Sequence, residues 1–191
     1  MTTKTTAVLL AGLSFGIVAS ASAQDSSLPG AFSGNVTLTS DYVFRGFTQA
    51  NEDPAIQGGL DWESGTGLYL GTWGSNVNFG DGDEASVELD VYGGYAGEVD
   101  GFTYDVGFIY YWYPGAAGAL NYDFWEVYGS LGYDFGPAAL SFGLAYTPEN
   151  FGDTNDGLYI QSGISVPLGD MFSIDANLNY YDVDPTFGDD Y

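Results

Sequence analysis

The chain has 191 residues, the scale of one ordinary domain, with Lys plus Arg numbering 2 against 26 Asp plus Glu and a formal net charge of −24. Histidine and cysteine are absent, which excludes disulfides, thiolate nucleophiles, Cys/His zinc sites and imidazole catalysis, while the lack of cations excludes nucleic-acid binding. Hydrophobic residues at 45% and aromatics at 17% equally exclude a solvated, disordered acidic tail.

The first 23 residues read as a secretory signal peptide. Lys4 supplies the positive start, Ala7 to Ala21 is a run of apolar and small residues, and Ala21-Ser22-Ala23 forms an A-x-A cleavage site. The apolar run is shorter than the roughly 18–20 residues of a membrane-spanning helix. Residues 24–191 are expected to form one domain. Within it, Arg45 is the only cation.

That domain shows nine successive stretches with period-two alternation. The first, Asn35 to Arg45, puts Val36, Leu38, Tyr42 and Phe44 on one face and Asp41 and Arg45 on the other. In the second, Ile56, Leu60 and Trp62 oppose Gln57 and Asp61. The third, Gly67 to Ser75, is rich in glycine and leaves its phase undetermined. The fourth is the clearest, with Val87, Leu89, Val91 and Tyr95 opposite Glu88, Asp90 and Tyr92. Phe102 to Trp112 alternates about Asp105, and Trp125 to Tyr133 about Glu126. Leu140 to Tyr146, Leu158 to Val166 and Phe172 to Tyr180 complete the series, with Asp175 on the polar face of the last.

Most of the stretches run about 9–11 residues, the length of a tilted membrane-spanning strand, whereas soluble strands average about 5–6. Tight turns at Glu63–Thr66, Val99-Asp100, Phe135–Pro137 and Pro167–Asp170 alternate with longer polar connections. Such alternation is the pattern of an outer-membrane barrel, with short periplasmic turns and long external loops. Trp62, Trp73, Tyr110, Trp112, Trp125, Tyr133, Tyr146 and Tyr180 lie near stretch ends, where a bilayer interface favours amphipathic rings. The expected fold is therefore all-β, an antiparallel up-and-down transmembrane β-barrel.

The run Ser40-Asp41-Tyr42-Val43-Phe44-Arg45-Gly46, followed by Thr48-Gln49, resembles the S-D-Y-x-F-R-G-x-[ST]-Q stretch of the TorF family of porin-like proteins, the Gcw_chp group. Gly67 to Trp73 and Glu88 to Tyr95 are similar in kind, and the resemblance spans about residues 33–181. It implies an outer-membrane β-barrel of a Gram-negative bacterium and names no substrate. Nine is an odd count, whereas bacterial single-chain barrels have even counts. The residues before Tyr191 also lack the alternating apolar pattern of a closing strand. The expectation is a chain truncated at its C-terminus, from a barrel of about twelve strands.

With the apolar faces toward lipid, the pore-lining charges are Asp41, Arg45, Asp61, Glu88, Asp90, Asp105, Glu126 and Asp175. Seven acids and one base favour cations in a lumen. Arg45 either neutralises a self-repelling interior or narrows the mouth. Asp81, Asp83, Glu84, Asp153 and Asp156 make the external loops acidic without EF-hand spacing. Their expected partners are divalent cations bridging loosely to lipopolysaccharide; no cofactor, metal centre or enzymatic activity is expected. The function expected is passive diffusion of small polar solutes, cationic or neutral. The alternative is a non-conducting structural or surface-interaction barrel whose bore is filled by Tyr92, Tyr111, Tyr128 and Tyr159.

Overall fold

The computed structural model describes residues 16–23, 30–80, 82, 85–169 and 172–183. One antiparallel sheet of ten strands contains β1 (Gly16–Ala23), β2 (Ala31–Thr39), β5 (Ala55–Glu63), β6 (Leu68–Asn76), β7 (Val87–Val99), β8 (Phe102–Trp112), β9 (Phe124–Asp134), β10 (Ala139–Thr147), β11 (Gly157–Pro167) and β12 (Ser173–Asp182). Each pairs with its neighbours in chain order. The loop after β2 holds a separate hairpin, β3 (Val43–Phe44) and β4 (Phe47–Thr48). Among the described residues there is no α-helix, only a 3-10 turn at Gly118–Leu120, and no pairing joins β12 back to β1.

The strand β1 lies within the expected signal segment and pairs along β2 from Gly16↔Thr39 to Ala23↔Phe32. Cleavage after Ala23 would leave β2 as that edge of the sheet. Residues 1–15, the Asp81, Asp83 and Glu84 part of the acidic loop, and the terminal stretch from Asp184 to Tyr191 lie outside the described residues.

Alternation sorts the two faces as the sequence implies. Leu38, Ile56, Leu60, Leu70, Val91, Val106, Val127, Leu131, Phe142, Leu144, Ile174 and Leu178 are all exposed on one face. Glu88, Asp90, Tyr111 and Glu126 are buried on the other. The sheet must curl toward that second face. Thr39 ends β2, eight strand spacings from β12, a distance of about 38 Å in a flat sheet. Yet the Arg45 guanidinium stands 5.0 Å from the Tyr181 ring of β12, and six residues of extended chain reach only about 20 Å.

The expected first strand is corrected by the structure. The extended run stops at Thr39, whose hydroxyl donates to the Asp41 carbonyl at 2.8 Å. Arg45 and Gly46 then form a two-residue turn with φ of 48° and 95°, the paired left-handed geometry of tight hairpins. Phe44 faces Phe47 across it, and the Gln49 amide donates to the Tyr42 carbonyl at 2.6 Å. Tyr42 and Phe44 therefore turn inward, away from the exposed apolar face that alternation implied. Trp73 is a second correction: it lies on the inner face of β6, 5.3 Å from the Tyr42 ring, instead of joining an outer aromatic belt.

Inner-face glycines make room for tyrosines on the adjacent strand. Gly71 pairs with Tyr92 and Gly107 with Tyr128, and a Cβ at either glycine would collide with the facing ring. Gly71 under Tyr92 fixes the phase of the third stretch, since Tyr69, Gly71 and Trp73 share the inner face while Leu68 and Leu70 are exposed. Gly107→Ala should destabilise the fold by about 1–3 kcal/mol through overpacking against Tyr128. Gly118→Ala, where an added Cβ meets nothing within 4 Å, should be nearly neutral. Urea unfolding of the refolded chain measures both; equal effects would contradict the packing described.

Candidate functional site

The inner face is layered. Nearest the short turns, the Tyr69 hydroxyl donates to Asp105 at 2.6 Å and lies 2.6 Å from the Tyr128 hydroxyl. The Tyr92 hydroxyl donates to Asp61 in the same zone. Each phenol rests over a glycine, so polar ring ends cross the inner face here.

Toward the long-loop end the hairpin enters the concavity. Arg45 donates from both terminal nitrogens to the Glu126 carboxylate, at 2.6 and 2.8 Å. This fork is held by a third donor, the Tyr111 hydroxyl, at 3.0 Å from Glu126 Oε2. The guanidinium also lies over the rings of Phe44, Tyr159 and Tyr181 at 4.7, 4.3 and 5.0 Å, contacts that aromatic faces offer to a cation. Burial opposes the charge on Arg45, but Glu126 more than offsets that, so its pKa is raised and it stays charged.

Asp41 accepts from the Thr48 hydroxyl at 2.7 Å, closing the base of the hairpin. The run from Ser40 to Gln49 therefore encodes an inward hairpin: Asp41 and Thr48 close it, Arg45-Gly46 turns it, and Arg45 anchors it. Above the hairpin, three long loops bring Phe79, Tyr113, Tyr122 and Phe151 together, with Phe79 5.2 Å from Phe151 and Tyr122 stacked on Phe151 at 4.1 Å. This aromatic cap was not visible in the sequence, because its members come from loops with no periodic pattern. Their aromatic content within otherwise polar loops was the available signal.

Of the expected pore-lining residues, Asp61, Glu88, Asp90, Asp105, Glu126 and Asp175 all extend from strands onto the inner face. Glu88, Asp90 and Glu126 are only 1%, 4% and 1% exposed. Asp175, on the last strand of the sheet, is exposed and accepts from Ser173 at 2.7 Å. Asp41 and Arg45 belong to the hairpin and not to a strand. Tyr42 donates to Glu88 Oε1 at 3.2 Å. Its burial, with Glu88 and Asp90 beside it, pushes its phenol well above the ordinary value and keeps it a neutral donor.

Removing one partner of a buried ion pair strands the other charge, at a cost of about 3–5 kcal/mol. Arg45→Met should cost more than Glu126→Gln, because it leaves three neighbouring carboxylates with no guanidinium among them. Combining the two substitutions should cost less than the sum of the singles. Denaturant midpoints of the four proteins check this, and additive effects would show that the fork does not couple the hairpin to β9.

The sequence was also compared with known proteins. No curated protein and no solved structure matches it. A family described as "Bacterial protein of unknown function (Gcw_chp)" matches residues 23–191. Because that match takes in nearly the whole chain, the protein belongs to the Gcw_chp family.

Proposed function

We propose that the protein is a porin-like outer-membrane β-barrel, of the kind grouped as TorF, that passes small polar solutes, cationic or neutral. The observation that carries this reading is the division of the sheet. One face is exposed and apolar along strand after strand, while the opposite face holds the acids. In water such an apolar surface would far exceed what a monomer tolerates; in a bilayer it is the face required. On this reading residues 1–23 direct export, long loops face outward toward lipopolysaccharide, and short turns face the periplasm. Strand pairing that closes the sheet would satisfy the edge groups in lipid.

A second reading has its own support. The hairpin and the cap of Phe79, Tyr113, Tyr122 and Phe151 fill the long-loop end, which favours a non-conducting surface barrel. Planar-bilayer recording separates the two. A channel should give small, cation-selective steps, because carboxylates in a low-dielectric wall concentrate cations. That preference should fade between about 0.1 M and 1 M KCl, as the Debye length falls from about 10 Å to about 3 Å. Glu88→Gln with Asp90→Asn should lower it, and Leu89→Ala should not. Anion preference would overturn the negative lumen, and the absence of steps would favour the second reading.

A further inference from the structure

The acids of the inner cluster are not balanced by the groups around them. Glu88, Asp90 and Glu126 lie within one buried zone with Arg45, so three carboxylates share one guanidinium. Lys4, the other cation of the chain, lies outside the described residues. The fork commits Arg45 to Glu126. Glu88 receives a hydrogen bond from Tyr42 on Oε1 and has the Tyr113 phenol beside its carboxyl, yet its Oε2 is buried with no hydrogen-bond partner in good geometry, and so is Asp90 Oδ1. A carboxylate oxygen removed from water without a partner is costly, and two in one place more so.

The surroundings supply oxygen donors and no further cation. Glu88 and Asp90 are alternate residues on one face of β7, about 6–7 Å apart along the strand. On β6, Ser75 lies directly opposite Glu88 and Trp73 opposite Asp90; on β8, Tyr111 lies opposite Asp90. The Ser75 hydroxyl is itself buried, as are the Tyr111 and Tyr113 rings. No group of three or more carboxylates suited to a metal ion occurs among the described residues, so any ion here is held by two acids, with hydroxyls and water completing its shell.

We propose that Glu88 and Asp90 form a buried binding site for one divalent cation, with Glu88 Oε2 and Asp90 Oδ1 as its charged ligands. Ionised together, the two carboxyls match a divalent ion in charge, and hard carboxylate and hydroxyl oxygens suit Ca²⁺, whose coordination is adaptable. The site deepens the channel reading and rests on it for the ion's route to a pair so deeply buried. It differs from loose bridging at the acidic loops, where solvent screens every group.

The test is calcium titration by calorimetry on the full chain, refolded in detergent and stripped with a chelator. KCl at about 1 M screens the surface acids. The expected result is one Ca²⁺ per chain, with affinity at least tenfold weaker in Asp90→Asn and in Glu88→Gln. Glu149→Gln, on a long loop, should leave that affinity unchanged. If Asp90→Asn fails to fold, the Glu88→Gln titration carries the comparison. Absence of stoichiometric binding in the parent, or equal affinity in the variants, would overturn the site and assign the missing charge to bound protons. Binding is read without conductance, so a protein that binds Ca²⁺ and never conducts would retain the site and lose the channel reading.

Discussion

The Arg45–Glu126 fork is the interaction on which the interior depends. A hairpin from the start of the sheet reaches across to β9, β11 and β12 and holds there by two charge-assisted hydrogen bonds and two ring contacts. Charge-assisted bidentate bonds combine strength with fixed direction, so the fork sets where the hairpin sits. Without it, the hairpin would lose its anchor in the concavity, and Glu126 would be left as a third unbalanced acid beside Glu88 and Asp90. Arginine suits this position better than lysine, because a planar guanidinium can fork onto a carboxylate and still present its face to Tyr159 and Phe44.

Around that anchor the chain follows an inverted rule of burial. Most of its large aliphatic side chains are exposed, and the largest fully buried side chains among the described residues include Glu88 and Glu126. Nor is the interior an oily core throughout: below the apolar cluster of Val77, Tyr111, Tyr113 and Phe124 lies a polar stack in which tyrosine hydroxyls meet carboxylates and glycines admit the rings. Such an interior is stable only if nearly every buried oxygen has a partner. Asp61 and Asp105 obtain theirs from Tyr92 and Tyr69, and Glu126 from Arg45 and Tyr111. Glu88 Oε2 and Asp90 Oδ1 are the exceptions, and the proposed cation would supply what they lack.

Much of this was legible in the sequence, for a physical reason. Period-two alternation is a local property, so the faces of Val87 to Tyr95 or Phe102 to Trp112 can be read without knowing any partner strand. Loop parity is equally local. The fold-back at Ser40 was not legible from alternation, because Tyr42 and Phe44 continue the pattern of Val36 and Leu38 beyond the end of β2. The pair Arg45-Gly46 between two phenylalanines was the turn signal that outweighed it. Trp73 was misread for a related reason. Its stretch is so rich in glycine that the phase is set by Tyr92 and Tyr95 on the next strand, a long-range fact. The cap and the unbalanced acid pair depend on which loops and strands meet, and no local pattern encodes that.

The central claim is that the exposed apolar face meets lipid while the acids face inward, and tryptophan position tests it most directly. Trp112 and Trp125 are exposed on the apolar face, and Trp73 lies on the inner one. Single-tryptophan versions of the chain, the other tryptophans replaced by phenylalanine, can be refolded into vesicles whose acyl chains carry bromine, a contact quencher. Strong quenching of Trp112 and Trp125 with little quenching of Trp73 is the predicted result. Quenching of Trp73 as strong as the others, or no quenching of any, would contradict the account.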